Sequence, residues 1–545
     1  MTTGERTGVE IVDAELAERA APLAERLVAD QAASKLGARD ATLWGPDAEP
    51  EASIRLSWTT LHKTSRPLIG EIETLRTELR SEGVDRVVLA GMGGSSLAPE
   101  VITGTDAKEI GHSALTVLDT TDPGQVADAL AGDLDRTVIV VSSKSGGTVE
   151  TDSHRRIFAK AFADAGIDAA RRIVVVTDPG SPFQELSEKE GYRKTFLADP
   201  QVGGRYSALT AFGLVPAGLA GADVARLLDQ AASVADDLTA DSVDNPAVKL
   251  AAAWAAAHEA GAEKVVLADA DSGIKGFPDW AEQLIAESTG KQGTGLLPVA
   301  VEGTEAPGFA DAKSDATPVA VGSPQGAAKI AVTGSLGAQF LLWEFATALA
   351  GRLLGINPFD QPDVETAKKA ARALLDDPEK LKGGETASNV DGAVEIFGSD
   401  GVSTDGSLTD VLRAFFASAP DTGYIAVQAY LDRLDDASTA VLRGEIAKRT
   451  GRQTTFGWGP RFLHSTGQYH KGGHQNGVFL QLTGAVEADL EVPERPYTLG
   501  QLQHAQALGD GQVLAEHGRP VLRLHLTDRA AGLAAVVRAV QEAGV

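Results

Sequence analysis

Two glycine- and serine-rich segments each follow a run of β-branched residues. Gly-Met-Gly-Gly-Ser-Ser-Leu-Ala-Pro spans residues 91–99, and Ser-Ser-Lys-Ser-Gly-Gly-Thr-Val-Glu-Thr spans residues 142–151. Glycine lets the backbone approach a bound group, and hydroxyls and helix N-terminal N–H groups donate to anions. The lysine spacing of a nucleotide P-loop is absent. Each segment alone is also compatible with a tight turn or an ordinary helix cap, but together they predict a phosphate site.

These turns need elements that bring them side by side. Continuous apolar runs at residues 86–90, 137–143 and 172–178 alternate with helical patterns, which predicts a parallel sheet covered by helices on both faces. Ligands of such sheets bind beyond the carboxyl ends of the strands, where both turns fall. After a turn-rich boundary near residues 240–250, further apolar runs predict a second α/β layer, at 264–268, 298–301, 422–427, 454–458, 477–481 and 520–525. We also predict helices over 57–81, 335–355 and 362–376.

The composition limits the partners and the chemistry. The 545 residues carry a formal net charge of −27, which repels nucleic acid and anionic membranes, so a phosphate site must be rich in local donors. The chain has no cysteine, which excludes disulfides, thiol nucleophiles and thiolate metal sites. We find no apolar stretch of about 18 residues and no apolar export signal at the polar N-terminus, so we expect a cytoplasmic protein without membrane contact.

Three further segments complete a resemblance to a known family. Gly-Gly-Arg-Tyr-Ser at 203–207, Glu-Ser-Thr-Gly-Lys at 287–291 and Gly-Ile-Asn-Pro-Phe-Asp-Gln-Pro-Asp-Val-Glu-Thr-Ala-Lys at 355–368 resemble motifs of the glucose-6-phosphate isomerase family, as do both turns. Thr289 stands where the family has asparagine. The resemblance implies two flavodoxin-like α/β/α subdomains of the sugar-isomerase (SIS) type with parallel sheets. We place a helical N-terminal segment at 1–56, the phosphate-binding subdomain at 57–245, and the second subdomain, with a histidine segment, at 246–545.

The resemblance implies a role for each matched residue. Glu287 is expected to be the base, and Arg205 is expected to lie beside the C1–C2 edge of the sugar. Lys368 would assist ring opening, and Gln361 would contact the substrate. The remaining expected contacts to sugar and phosphate are Gly94, Ser95, Ser143, Lys144, Ser145 and Thr148.

The histidine that opens the sugar ring in this family is displaced. Residues 292–354 contain no histidine, and a similar stretch follows at 458–474, an order that resembles the isomerase half of transaldolase–isomerase fusions. Tyr469 stands at the family's histidine position, so His470 is the first candidate and His464 the second. With His474, these residues also have a spacing that zinc sites use, which the sequence leaves open. We nevertheless expect no metal and no cofactor.

The implied activity is an aldose–ketose isomerisation. Glucose 6-phosphate and fructose 6-phosphate would interconvert through a cis-enediolate after ring opening, as in glycolysis and gluconeogenesis. Two alternatives remain: a dual isomerase that also accepts mannose 6-phosphate, and a non-catalytic SIS regulator that binds a sugar phosphate. The family commonly forms dimers in which one subunit lends the histidine to the other, so the resemblance also implies a possible homodimer. The expected ligand is a small hexose phosphate.

Overall fold

The computed structural model describes residues 7–106, 115–376 and 386–544. The strands of these residues are β1 (Gly8–Ile11), β2 (Arg86–Gly91), β3 (Thr116–Leu118), β4 (Thr137–Ser142), β5 (Ile173–Thr177), β6 (Lys194–Leu197), β7 (Lys264–Ala270), β8 (Leu297–Ala300), β9 (Ala316–Gly322), β10 (Ile330–Thr333), β11 (Asn389–Asp391), β12 (Val394–Gly398), β13 (Tyr424–Tyr430), β14 (Gln453–Trp458), β15 (Gly477–Gly484) and β16 (Val521–Leu526).

Helices connect and cover these strands. They are α1 (Ala14–Ala29), α2 (Ala32–Gly37), α3 (Glu49–Ala52), α4 (Leu61–Thr64), α5 (Pro67–Ser81), α6 (Leu97–Thr105), α7 (Pro123–Ala131), α8 (Val149–Asp164), α9 (Pro182–Glu190), α10 (Ala211–Ala220), α11 (Val224–Ala232), α12 (Ala235–Leu238), α13 (Pro246–Glu259), α14 (Phe277–Thr289), α15 (Leu336–Leu354), α16 (Val364–Leu375), α17 (Leu408–Ala417), α18 (Val441–Thr450), α19 (Gly467–Gly472), α20 (Leu499–Glu516) and α21 (Arg529–Glu542). No helix among the described residues has the length and apolar character that crossing a bilayer requires.

The described strands form three sheets. The first has the order β3-β2-β4-β5-β6 and is parallel throughout. The second has the order β1-β10-β9-β7-β8, with β1 antiparallel at its edge. The third has the order β11-β12-β16-β15-β13-β14, and its four strands from β16 to β14 are parallel. Because parallel strands point the same way, the turns after β2 and β4 lie together at one edge of the first sheet.

Burial explains why the strands were readable from sequence. All six residues of β4 and all seven of β13 are buried, as expected for strands covered by helices on both faces. The helix α15 is also buried along most of its length, as expected for a helix that has apolar residues on all of its faces. The predicted α/β class with parallel sheets is confirmed.

Two details differ from the sequence analysis. The helix expected over 57–81 is interrupted, and α5 begins at Pro67, since proline lacks the N–H that a continuing helix needs. The unit expected at 246–545 contains two sheets, because β11–β16 pair among themselves and not with β7–β10. Residues of the segment expected at 1–56 also supply β1 to the second sheet. The proposed domain boundaries stay predictions.

Candidate active site

The guanidinium of Arg205 lies against the carboxylate of Glu287. Arg205 belongs to a 3₁₀ turn that follows β6, Gly204–Tyr206, and Glu287 lies near the end of α14. The distance from Arg205 Nη1 to Glu287 Oε2 is 3.4 Å, and the two side chains are only 2% and 10% exposed. The structure thus joins two residues that the resemblance named for the proton-transfer step.

Arg205 is held by hydrogen bonds from each of its side-chain nitrogens. Nε donates to Ser288 Oγ at 2.8 Å, and Nη1 donates to Gln361 Oε1 at 2.9 Å. Nη2 donates to the carbonyl oxygens of Pro358 at 2.7 Å and of Asp360 at 3.0 Å. Because a guanidinium stays protonated, this network fixes a positive charge beside Glu287 and brings Gln361 to the same place.

Lys291 anchors the segment that carries Gln361. Its Nζ donates to the carbonyl oxygens of Asn357 at 2.8 Å and Asp360 at 2.6 Å, and it pairs with the Asp360 carboxylate at 2.7 Å. Burial and the nearby Arg205 charge lower the pKa of Lys291 to about 8. The last residue of the Glu-Ser-Thr-Gly-Lys motif therefore has a positioning role that the sequence analysis did not assign.

The environment of Glu287 favours a basic carboxylate. Burial raises the pKa of Glu287, although Arg205, His464 and Lys368 act electrostatically in the opposite direction. These three groups come from separate places in the chain: the Gly204–Tyr206 turn, the Arg461–His464 turn and the helix α16. A carboxylate with a raised pKa accepts a proton more readily, which suits a general base.

The first glycine turn packs directly on the Arg205 turn. A β-carbon at Gly94 would lie 1.9 Å from the carbonyl oxygen of Gly204. At Gly93, where φ is +56°, a β-carbon would lie 2.7 Å from Gln283 Nε2. The glycines therefore allow a close approach of two backbones, and Ser95 is buried in the same turn. The expected contacts of Gly94 and Ser95 with sugar stay predictions.

The second turn borders a cavity of about 230 Å³. Ser143 Oγ and Thr148 Oγ1 are 2.8 Å apart, and the Gly147 N–H donates to Ser145 Oγ at 3.2 Å. Thr148 precedes α8 at the N-cap position, yet its side chain does not cap the helix. Ser145 and Thr148 line the cavity, as does Lys368.

Lys144 does not border this cavity, and its expected contact with the phosphate stays a prediction. Its ammonium group pairs with the Asp178 carboxylate and donates to the carbonyl oxygen of Pro200 at 3.2 Å. The positive charge of Lys144 is therefore paired with a half-buried carboxylate, whereas the sequence predicted that this charge contacts the substrate phosphate. Ser143 also lies outside the cavity lining, although it contacts Thr148.

His464 pairs with Glu150 at the wall of the same cavity. His464 Nε2 lies 3.1 Å from Glu150 Oε1, and Gln506 Nε2 donates to that oxygen at 2.7 Å. Burial acts to raise the pKa of Glu150, but the charge and hydrogen bond of His464 outweigh it and hold the pKa at about 2. Glu150 is therefore an ionised carboxylate that orients an imidazole.

Glu150 was not among the predicted site residues, although it lies next to last in the second glycine motif. Its position gives a signal that could have found it. An acidic residue in the first turn of a helix that follows an anion-binding turn would repel the anion, unless a proton donor or a cation is paired with it. That partner is His464, which lies 314 positions away in sequence.

His470, the first candidate for ring opening, does not border the cavity. Its ring lies against the rings of Tyr424, Phe462 and Phe479, and its Nδ1 is 3.1 Å from the Tyr424 hydroxyl. Burial lowers the pKa of His470 well below its ordinary value. The histidine at the cavity is instead His464, at the end of the 3₁₀ turn Arg461–His464. The helix α19 contributes Lys471 to the cavity lining, while its His470 faces the aromatic rings.

The three histidines of this segment do not converge on a metal site. His464 faces Glu150, His470 faces Tyr424, and His474 Nδ1 lies 2.9 Å from Glu263. Within the described ranges, the carboxylate and histidine group whose ligand atoms lie within 4.8 Å of one another is formed by Asp128, Asp432 and Asp435, which contribute nothing to this site.

Comparison with known proteins points to one family. Residues 66–302 match the family model described as phosphoglucose isomerase. The chain is 30% identical over 367 residues to a probable glucose-6-phosphate isomerase of Haloarcula marismortui, a match that covers 56% of this chain and 84% of the relative. It is 36% identical over 217 residues to a glucose-6-phosphate isomerase of a Cyanothece species, which covers 38% of this chain and 40% of that relative.

A solved structure shares the fold. The crystal structure of a glucose-6-phosphate isomerase from Chlamydia trachomatis superposes with a TM-score of 0.50 at 20% sequence identity. The superposition covers 58% of this chain and 75% of that structure. At this level of identity the likeness concerns the fold alone.

Proposed function

Since the chain belongs to the phosphoglucose isomerase family, we propose that it interconverts glucose 6-phosphate and fructose 6-phosphate. The observation that carries this proposal is that two residue pairs lie near each other. Arg205 pairs with Glu287, and His464, which acts electrostatically on Glu287, pairs with Glu150. The pairs are linked, because Gln283 on the helix of Glu287 donates to the carbonyl oxygen of His464 at 2.8 Å. An aldose–ketose isomerisation needs a base, a fixed positive charge and a ring-opening group, and these side chains are of the required types.

The phosphate would bind at the turn of residues 143–148. The start of α8 has N–H groups that no side chain of Thr148 caps, and the hydroxyls of Ser145 and Thr148 border the cavity. Helix N-terminal N–H groups bind phosphate without a dedicated cation. This matters because Lys144 is engaged by Asp178 and the chain as a whole carries a net charge of −27.

Ring opening would be the task of His464. A closed pyranose opens when a proton reaches the ring oxygen and another leaves the C1 hydroxyl, and an imidazole can carry out either transfer. Glu150 would keep the imidazole oriented toward the cavity. Lys368, which lines the same cavity, would stabilise the oxygen on which negative charge develops.

Isomerisation would then proceed at C1 and C2. Glu287 would take the C2 proton, the electron pair of that C–H bond would form the C1=C2 double bond, and the π pair of the C1 carbonyl would move to O1 to give the cis-enediolate. The hydroxyl proton on O2 would then pass to O1, and Glu287 would return its proton to C1 as the C2 carbonyl forms. Arg205 would stabilise the enediolate, and its hydrogen bonds to Ser288 and Pro358 mean that no reorganisation is needed during the reaction. Loss of such a stabiliser costs about 3–4 kcal/mol of barrier in comparable sites.

We also propose that one chain completes its own site. Both pairs are intramolecular, and His464 is supplied by the C-terminal part of the same chain, next to the third sheet. No residue of a second copy is needed for the chemistry described above. Turnover per chain should therefore stay constant on dilution, whereas a histidine supplied by a second subunit would make turnover fall with protein concentration.

The decisive experiment is a coupled assay with the purified full chain. Fructose 6-phosphate is supplied, and the glucose 6-phosphate that forms is oxidised by an excess of its dehydrogenase while NADPH is followed. We expect turnover that is lost in Glu287→Gln. Binding of fructose 6-phosphate without turnover would refute the enzyme and support a regulator. A parallel reaction with mannose 6-phosphate measures whether the substrate range extends to the 2-epimer.

A further inference from the structure

A second cavity adjoins the catalytic one and has residues in common with it. Its volume is about 570 Å³. Both cavities are bordered by Gly147 and Val149, from the phosphate turn and α8, and by Arg372 and Leu375 on α16. Nothing in the proposed reaction uses this space. The charged side chains among its described lining residues are Asp152, Arg155, Arg156, Arg372, Asp376 and Arg495.

The lining is basic in a strongly acidic protein. Four arginines face two aspartates around this cavity, while the chain has a formal net charge of −27. The surface of a protein with this composition is expected to be mostly negative. A local excess of guanidinium groups differs from that expectation and concentrates positive potential in the cleft. Guanidinium groups bind phosphate through paired, planar hydrogen bonds.

Asp152 accepts hydrogen bonds from three of the arginines, but its single negative charge does not neutralise their three positive charges. Arg155 donates to Asp152 Oδ1 at 2.7 Å, Arg156 donates to Oδ2 at 2.8 Å, and Arg495 donates to Oδ2 at 2.8 Å. Burial acts to raise the pKa of Asp152, but the hydrogen bonds from Arg156 and Arg495 outweigh it and hold the pKa at about 2. With Glu494, which also pairs with Arg156, two carboxylate charges thus face three guanidinium charges.

Two of these arginines have donors to spare. Among the described residues, Arg495 uses only Nη2 in a hydrogen bond, and Arg156 uses Nε and Nη1. Arg156 also pairs with Glu494, whose side chain is 81% exposed. Arg495 itself is 41% exposed, so its remaining N–H groups are accessible to a ligand from solvent.

We propose that this cleft, defined by Asp152, Arg155, Arg156, Arg372 and Arg495, binds a phosphorylated ligand with two or more anionic groups, separately from the sugar phosphate substrate. Its volume falls in the range of ligand-binding pockets, about 300–1,000 Å³. Phe183, Leu186 and Tyr497 form an apolar wall beside the arginines, which suits a ligand with an organic part.

Occupancy of the cleft is expected to influence catalysis. The shared turn at Gly147 and the shared helix α16, which carries Lys368, connect the two cavities physically. A ligand that draws Arg372 toward the cleft acts on the helix that lines the catalytic cavity. Because the substrate and this ligand would occupy different cavities, both can be bound at the same time.

The test uses inorganic tripolyphosphate as the probe and the full chain as the protein. Calorimetric titration is carried out with and without saturating fructose 6-phosphate, for the parent chain and for Arg495→Glu. We expect binding that persists in the presence of the sugar phosphate and weakens at least about tenfold in the variant, because a charge-assisted hydrogen bond is lost and a repulsive charge is added.

Arg413→Glu is the matched control, because Arg413 is 45% exposed, pairs with Asp410 and lies on α17, outside both cavities. It should leave tripolyphosphate binding unchanged. Absence of binding to the parent chain, equal weakening in both variants, or complete displacement by fructose 6-phosphate would each overturn the proposal. Thermal unfolding of each variant verifies that the fold is retained, and binding is measured independently of turnover.

Discussion

Two parts of the chain supply the candidate site, and they are built in different ways. Residues 91–291 present Gly94, Thr148 and Arg205 on turns that follow parallel strands, and Glu287 near the end of a buried helix. Residues 461–471 form a short turn and a short helix, from which His464 reaches the cavity while His470 is enclosed by aromatic rings. The proposed anion donors thus lie on turns at the edge of a parallel sheet, whereas the proposed proton carrier lies on a segment whose two histidines face different environments.

The largest effect is expected at the base of the first part. Glu287→Gln should lower kcat by about 10⁴, the upper end for loss of a general base, with little change in KM. Glu282→Gln is the matched control on the same helix. Burial raises the pKa of Glu282 well above its ordinary value, and its Oε1 accepts a hydrogen bond from the Ala300 N–H at 3.1 Å. Steady-state kinetics on both variants measures the difference, and similar kcat values in the two would contradict the assignment.

The next largest effect should distinguish the two histidines of the second part, His464 and His470, by their contributions to kcat and to stability. His464→Gln removes the proposed proton carrier and should lower kcat by about 10². His470→Phe should keep kcat within about threefold of the parent but lower the free energy of unfolding by about 1–3 kcal/mol, because the buried Tyr424 hydroxyl loses its partner. The two variants are compared by coupled assay and by urea denaturation. The reverse pattern would restore His470 as the ring-opening residue.

The two buried carboxylates of the candidate site, Glu287 and Glu150, should differ in their protonation as the pH falls. Burial raises the pKa of Glu287 above its ordinary value of 4.5, while the pKa of Glu150 is held at about 2. Since Glu287 acts only when deprotonated, kcat/KM should fall about tenfold per pH unit below a midpoint that lies above 4.5. Glu150 stays ionised through this range. A pH profile with its acid midpoint at or below the ordinary glutamate value would count against the assigned base.

The smallest effect is expected at Lys144. Its pairing with Asp178 predicts that Lys144→Met changes the KM for fructose 6-phosphate by less than about threefold, as for the loss of a distant, screened charge. Thr148→Val, which removes a hydroxyl at the cavity wall, should raise KM by about tenfold, the size of one hydrogen bond to a charged group. Parallel KM measurements test this order. A larger effect at Lys144 than at Thr148 would show that the lysine leaves Asp178 to bind substrate.

Most parallel strands and both glycine turns could be predicted from the sequence because their signals are local. Buried parallel strands are continuous apolar runs, so β2, β4, β5, β7 and β13–β16 were recognisable without knowledge of their partners. Glycines after a strand reveal a close backbone approach, as at Gly94. The resemblance then named Arg205 and Glu287, which the structure places 3.4 Å apart.

Local sequence patterns were sufficient to predict the α/β class and the glycine turns, and the family resemblance named Arg205 and Glu287. The three-dimensional arrangement was needed to establish that His464 and not His470 reaches the cavity, that Lys144 is held by Asp178, and that the C-terminal strands form a sheet of their own. The physical reason is distance along the chain. The Glu150–His464 pair spans 314 positions, so its formation depends on how separately folded sheets pack together, which no local pattern encodes.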